Sequence, residues 1–437
     1  MIDLAKETVG FIGIFALLAM IFLRVPIGIA LSTVSIVGIF VILGERPAIG
    51  MLAQIPYDFT AHWTLSSIPM FLFMGYLCYH AGLTTGLFRL ARLWLSWLPG
   101  GLSVASIQGS ALFAAVTGSS LACTAAMGRI AVPEMLDRGY DKGLATGTVA
   151  AAGTIGSMIP PSILLIIYGI FVEQSIAALF LGALIPGILT ALLYSAMVIV
   201  RCWLNPSLAP AVREDVTMMQ RLLAFGDTWP VLVLIVGVFG GLFSGIFTPT
   251  EAGAVGAALA FLIGLVKRAL TFAILREAIA ETLRTTAAIF LIAIGAQLLT
   301  RFFALSGTTT IIADFISSPE YSQLTVILLI SVVLILLGML LDPIGIMLLT
   351  IPILLPVLET RDINLIWFGV LMAKFLEIGF ITPPVGLNVF VVKGIVGDAV
   401  PIHQIFVGIA WFVVMDLGLI ALLIAFPAIV LWLPGAG

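Results

Sequence analysis

Long apolar runs without alternation decide what this chain can fold into. Phe11–Leu23, Leu164–Phe171, Leu179–Val200, Val231–Phe243 and Val326–Leu341 contain no charged residue. A helical crossing of a bilayer takes about 20 such residues, so 437 residues leave room for about ten crossings with their loops. The runs are continuous rather than period-two, which excludes a transmembrane β-barrel. Composition agrees: 62% of residues are hydrophobic and 9% charged, against roughly a quarter charged in soluble domains. The chain reads as an all-α polytopic membrane protein set in a lipid bilayer.

The charge balance of −3 says little, because the charges sit in loops. No basic tail for nucleic acid is present, and the most polar stretch, Arg201–Asp227, is a connector. Met1–Thr8 carries Asp3, Lys6 and Glu7 and runs straight into further apolar sequence, which is not a cleavable signal. Cys78, Cys123 and Cys202 lack metal or redox spacing and read as small apolar residues. His62, His80 and His403 show no ligand spacing, which favours surface or interfacial roles over metal binding. With three histidines and no hydrolase or diphosphate motif, acid–base machinery is thin, so the chain does not read as an enzyme.

The Gly and Pro punctuation repeats at an offset of about 223–225 residues. "RVPIGIAL" around Pro26 matches "FTPTEAGA" around Pro249, and "AGLTTGLFRLA" from Ala81 matches "SGTTTIIADFI" from Ser306. "AVTGSSLA" at Gly118 matches "MLLDPIGI" at Pro343, and "GSMIPPSI" matches "GFITPPVG". Loop charge then gives orientation, since short cytoplasmic loops hold the Lys/Arg excess. Arg89, Arg92, Arg138 and Lys142 flank the first tip region, whereas Glu320, Glu359, Arg361 and Asp362 flank the second. The reading is two inverted repeats, 1–228 with a cytoplasmic connector and 229–437. Each has about five transmembrane helices plus a re-entrant hairpin, at about 103–136 and 324–358. Arg24, Arg201, Arg213, Arg221 and Lys393 fall inside, and both termini fall outside. Inverted halves with broken helices point to a secondary transporter.

Irregular backbone survives at membrane depth only where protein or a wet cavity encloses it. Four breaks qualify: Val116–Ser120, Leu341–Gly345, Gly156–Ser162 and Ile381–Asn388. Broken helices aim N-terminal amides at anions, and proline leaves the carbonyl it would have bonded free. Those carbonyls, the Asn388 amide and the hydroxyls of Thr117, Ser119, Ser120, Ser157 and Thr382 suit a small hard cation such as Na+.

At these residues the sequence resembles the large membrane (M-type) subunit of tripartite ATP-independent periplasmic (TRAP) transporters. The motifs are "RVPIGIAL", "GSSLACTAAMGRIAVPEMLDRGY", "AAGTIGSMIPPS", "TPTEAGAVGAAL" and "EIGFITPPVGLNVFVV", in order from Arg24 to Val392. The resemblance implies a Na+-driven elevator in the bacterial inner membrane, with both termini periplasmic. It implies a separate small four-helix Q-type membrane subunit and a soluble periplasmic substrate-binding protein. The cargo would be an organic acid anion: a C4-dicarboxylate, a sialic or other sugar acid, or a keto acid. It assigns one Na+ to Gly118, Ser119, Gly153, Ser157 and Pro160, and another to Gly345, Thr382, Gly386 and Asn388. Substrate would lie between the tips, near Thr117, Ser120, Asp342, Pro161 and Pro384. Arg129 stands where a small or hydroxyl residue is the pattern, and either binds a substrate carboxylate or reaches the cytoplasmic surface. A one-component carboxylate or ion transporter of similar inverted-repeat elevator design is the competing reading.

Other charges have local explanations. Lys374 and Glu377 are spaced i,i+3 and are expected to pair, with ion coupling the alternative role. Glu251 follows Thr248 as the acid of a capping box. Asp342 either caps a helix or binds cation or substrate. Arg301 and Asp416 have no evident partner. Trp63, Trp94, Trp97, Trp203 and Trp229 are expected as interface anchors. "RLWLSWLPGG" (92–101) and the amphipathic stretch Phe272–Arg284 are expected to lie along the membrane surface.

Overall fold

The computed structural model describes residues 5–83, 85–210, 217–316 and 321–435, without the side chain of Phe315. Arg213 of the connector, Glu320 beside the second hairpin and the chain ends lie outside these residues. Every regular element among them is helical. Before the connector the order is α1 Lys6–Phe22, α2 Ile27–Leu43, α3 Glu45–Thr60, α4 Ser67–His80 and α5 Thr85–Leu95. There follow α6 Gly101–Thr117, α7 Ser120–Asp137, α8 Lys142–Gly153, α9 Ile163–Phe171 and α10 Ile176–Leu204. After it come α11 Met218–Phe243, α12 Pro249–Val266, α13 Phe272–Ser306, α14 Thr308–Ile316 and α15 Gln323–Gly338. The chain ends with α16 Pro343–Thr360, α17 Leu365–Ile381, α18 Leu387–Val396, α19 Ile402–Ala425 and α20 Ala428–Leu431.

Six of these helices among the described residues, α10, α11, α12, α13, α16 and α19, are long and apolar enough to cross a bilayer. Two groups form by packing. In one, α13 lies along α2 and α4, α12 along α4 and α11, and α1 on α2. In the other, α8 lies along α19 and α7, α10 on α6, α17 and α19, and α18 on α7 and α8. The groups meet where α4 touches α6 and α9, and where α13 touches α16.

Two helices are buried over almost their whole length: α8 from Gly143 to Gly153 and α17 from Ile366 to Ile381. A helix apolar all round has no face to give to solvent. The Gly, Ala and Thr residues of α8 also let neighbouring backbones approach closely. These are the helices that end at the two Pro-Pro breaks; the first break is buried with them, whereas Pro383 and Pro384 of the second reach the surface.

Burial of α17 brings a correction. Lys374 does not pair with Glu377. Its Nζ lies 2.6 Å from Asp416 Oδ1 on α19 and 3.3 Å from Thr190 Oγ1 on α10. Tyr194 donates to Asp416 Oδ2 at 2.6 Å, which supplies the partner that sequence could not place. Residues i and i+3 stand about 60° apart around a helix, enough to send Lys374 toward α10 and α19 and Glu377 toward α7. Phe272–Arg284 likewise forms no separate surface segment. It is the start of the 35-residue α13, about 52 Å long at 1.5 Å per residue, because no Gly or Pro interrupts it before Gly295. The stretch 92–101 divides into the end of α5, a turn and the start of α6, with Trp97 exposed. Trp63, Trp203 and Trp229 are exposed as well, whereas Trp94 packs on Phe225 with Arg221 over its ring. The Thr248–Glu251 capping box forms, and the three cysteines are buried.

Lys374→Met strands Asp416 in the interior and should destabilise the chain by about 3–5 kcal/mol, the cost of breaking a buried pair. Lys374→Met with Asp416→Asn should recover most of that loss, read from unfolding midpoints of the purified chain in detergent.

Candidate functional site: a cavity between two hairpin tips

Each Pro-Pro break is covered by its own helical hairpin. The α6–α7 tip turns at Gly118, which adopts φ +61°, and a β-carbon there would come 2.3 Å from the Pro161 carbonyl oxygen. Only glycine allows both the turn and the approach. The Gly118 carbonyl accepts the Ile163 amide at 3.3 Å, just beyond Pro160-Pro161. At the second break, the Met339 carbonyl of the α15–α16 turn accepts the Val385 amide at 3.3 Å, just beyond Pro383-Pro384. Both Pro-Pro bonds are cis.

Capping shapes the tips. Ser119 caps α7 through Ala122 N at 3.5 Å, and Ser162 caps α9 through Leu165 N at 3.3 Å. Asp342 is the N-cap of α16, its Oδ2 accepting from Gly345 N at 2.8 Å. Thr117 and Thr382 bond back to carbonyls four residues earlier, Phe113 and Ile378. The breaks differ in exposure: Pro160 and Pro161 are buried, whereas Pro383 and Pro384 are exposed.

A cavity of about 610 Å³ lies between the tips. Gly118, Ser119 and Ser120 of the first tip and Asp342 of the second line it, together with Ser157 of the first break. Tyr76 and Tyr79 of α4, and Glu281, Arg284 and Thr285 of α13, close the opposite wall. Arg129 is exposed at this cavity, its guanidinium 6.0 Å over the Tyr79 ring, and has no carboxylate within ion-pair distance among the described residues.

The sequence sites therefore group by place. Gly118, Ser119, Ser120, Ser157, Arg129 and Asp342 share the cavity. Pro160 and Pro161 lie beneath the first tip. Gly345 is buried against Ile27 and Asp342. Thr382, Pro384 and Gly386 belong to the second break. Asn388 and Gly153, assigned by resemblance to different cations, stand side by side, with a β-carbon on Gly153 falling 3.2 Å from Asn388 Nδ2.

Glu377, which its spacing assigned to Lys374, completes the cavity wall instead. Its carboxylate, 1% exposed, accepts from Ser120 Oγ at 2.7 Å and from Ser157 Oγ. The two hydroxyl oxygens are 2.8 Å apart. Lys374 is committed to Asp416, so among the described residues no cation stands within ion-pair distance of Glu377. A buried carboxyl group held only by neutral hydroxyls is costly to charge in an apolar setting, and an ionisable group in the membrane is a functional candidate for that reason. Hard oxygens around one carboxylate form a donor set that fits a hard cation. The signal in sequence was a carboxylate five residues before Thr382-Pro383-Pro384.

Another group appears only in three dimensions. His80 Nε2 meets Glu281 Oε2 at 3.0 Å, and Nδ1 lies 3.9 Å from Glu277. Residues some 200 positions apart form it, so spacing cannot reveal it. Arg301 lines a separate cavity of about 710 Å³ with Asp58 and Glu173.

The family described as "Tripartite ATP-independent periplasmic transporter, DctM component" matches residues 14–429. The chain belongs to the DctM family. This DctM chain is 32% identical over 423 residues to a sialic acid TRAP transporter large permease protein of Vibrio cholerae, covering 97% of each. It is 30% identical to a C4-dicarboxylate TRAP transporter large permease protein of the same species, covering 95% of each. An isethionate TRAP transporter permease protein of Oleidesulfovibrio alaskensis is 32% identical over 88% of this chain and 60% of its own length. The crystal structure of the Alcanivorax borkumensis YdaH transporter shares the fold, with TM-score 0.63 and 15% identity over 88% of this chain and 90% of that one. The DctM chain is thus a multi-pass membrane protein and the large permease component of a TRAP transporter.

Gly118→Ala should keep the helix content of the wild type but lose most transport. The left-handed turn and the 2.3 Å approach to Pro161 both oppose a side chain, at about 1–3 kcal/mol for the backbone alone. Circular dichroism and uptake measured on one preparation check this.

Proposed function

We propose that this DctM chain imports an organic acid anion across the bacterial inner membrane, driven by Na+. The cluster of Ser120, Ser157 and Glu377 on the cavity wall carries the reading. It joins the first hairpin, the first break and the helix that leads to the second break. A Na+ seated there neutralises the buried carboxylate, and the first tip closes over it. Gly118, Ser119 and Pro160 supply backbone around this first cation. A second Na+ belongs to the other tip and break, at Gly345, Thr382 and Gly386. Substrate lies between the tips, with Arg129 taking a carboxylate at the cavity mouth and Asp342 orienting polar groups.

The matched tip-and-break pairs support reading residues 1–228 and 229–437 as inverted repeats with both termini periplasmic. In an elevator motion the group holding both breaks, α6–α10 and α15–α20, slides against α1–α4 and α11–α13. Substrate arrives from a soluble periplasmic binding protein, and a small four-helix Q-type subunit completes the membrane assembly. Relatives named for sialic acid, C4-dicarboxylate and isethionate all point to anionic cargo.

Charge arithmetic limits the coupling. A charge crossing the membrane is worth about 2.3 kcal/mol per 100 mV, so a dianion with two Na+ gains nothing from the potential. A dicarboxylate therefore needs more than two Na+ for potential-driven uptake, whereas a monoanion needs only two.

Reconstituted vesicles holding the chain and its two partners test the reading. Uptake from a panel of organic acids should require an inward Na+ gradient and both partners. Uptake by the chain alone would favour a one-component transporter. Ser157→Ala should raise the Na+ concentration for half-maximal uptake about tenfold or more, as one bond to a charged group is worth about 1.5–3 kcal/mol. An unchanged Na+ dependence would remove Ser157 from the site.

A further inference from the structure

On the α4–α13 wall of the cavity, three metal-binding side chains converge from two helices. His80 ends α4, and Glu277 and Glu281 stand about one turn apart on α13. One ligand atom from each lies within 4.8 Å of the others. His80 Nε2 is 3.0 Å from Glu281 Oε2, and its Nδ1 is 3.9 Å from Glu277 Oε2. The His80 side chain is 13% exposed, and its ring is held edge-on to Tyr79 with centroids 5.0 Å apart. Glu281 also lines the cavity.

Charge decides what such a group can hold. Residues i and i+4 share a helix face, and like charges placed there repel. Among the described residues, neither Arg276 nor Arg284 of the same helix lies within ion-pair distance of these carboxylates, so one imidazole faces both. With a neutral ring the group offers two negative charges and a nitrogen lone pair, which a divalent metal satisfies. Imidazole favours a transition metal such as Zn2+, whereas Mg2+ and Ca2+ take oxygen ligands. A tetrahedral Zn2+ with bonds of about 2.1 Å holds its ligand atoms about 3.4 Å apart. The two glutamate side chains, 63% and 37% exposed, are free to close to that spacing.

We propose that His80, Glu277 and Glu281 form a regulatory site for a divalent transition metal, with Zn2+ the ion that best suits the ligand set. Three protein ligands leave a tetrahedral metal one open position. The cavity at Glu281 gives the metal its entry path and turns that position toward the cargo. A dication here clamps α4 to α13. It also offers a cargo carboxylate a position fixed to this wall, in competition with Arg129, whose guanidinium lies over the neighbouring Tyr79 ring. Cargo held on α4 and α13 cannot travel with the hairpin tips, so the bound metal slows import. The binding site stands on geometry alone, and its regulatory effect rests on the import reading above.

The full chain in lipid nanodiscs, stripped of metal with a chelator, is titrated calorimetrically with ZnCl2 and, separately, with MgCl2. Zn2+ should bind and Mg2+ should not compete for the site. Losing even an outer partner of a metal ligand costs about 10–100-fold in affinity, so His80→Ala and Glu281→Gln should each weaken Zn2+ binding about tenfold or more. Zn2+ binding that is absent from the wild type, or unchanged in both variants, would overturn the site. Where His80→Ala does not fold, Glu281→Gln decides alone, because its side chain is partly exposed. The titration uses neither Na+, substrate nor partner, so its failure is separate from a failure of Na+-driven import. In vesicles with both partners, Zn2+ should slow uptake by the wild type. Each variant should need about ten times more Zn2+ or above for the same fractional slowing. Zn2+ that binds without slowing uptake would overturn the regulatory role.

Discussion

Apolar surroundings leave a broken helix only protein with which to pair its freed amides and carbonyls. Here each break is tied to a hairpin tip by one backbone bond, Ile163 to Gly118 and Val385 to Met339. Those bonds let Pro160-Pro161 stand inside an apolar bundle and hold the exposed Pro383-Pro384 pair against its tip, and they bring the tips to a common cavity. The helices that lead to the breaks, α8 and α17, are themselves enclosed. The whole arrangement depends on this obligation.

The same scarcity of solvent sorts the charges. Lys374 and Asp416 are both inaccessible, and they neutralise each other with Tyr194 and Thr190 as additional partners. That pairing ties α17 to α10 and α19. It also leaves Glu377 with hydroxyl partners alone. One buried pair is thus internally balanced, whereas the neighbouring carboxylate has only neutral hydroxyl partners among the described residues. Two acids in one apolar bundle take different roles because one has a lysine within reach and the other does not.

Much of this was legible from residue order. All four breaks fall where glycine clusters with proline or hydroxyl residues, and the Thr248–Glu251 capping box forms as its spacing requires. Asp342 acts as a cap, one of the two roles its place at a tip allowed. Pairing was less legible. The i,i+3 spacing pointed Lys374 at Glu377, but a long side chain in a buried helix takes the nearest opposite charge in space, and that charge is on α19. Helix extent was also misread at Phe272–Arg284, where amphipathic sequence continues unbroken into α13.

Sequence alone determined that the chain is a helical membrane protein, where its helices fail, and which oxygens are available there. Those properties rest on local chemistry: apolar runs that water rejects, prolines that cannot donate, glycines that tolerate φ above zero. The tertiary structure alone decided which oxygens share a site. Ser120 and Ser157 meet Glu377 across more than 200 residues, and Gly153 meets Asn388 of the other half as well as Thr124 of its own. Such meetings depend on the packing of α7, α8, α17 and α18, and no spacing along the chain encodes a distance set by packing.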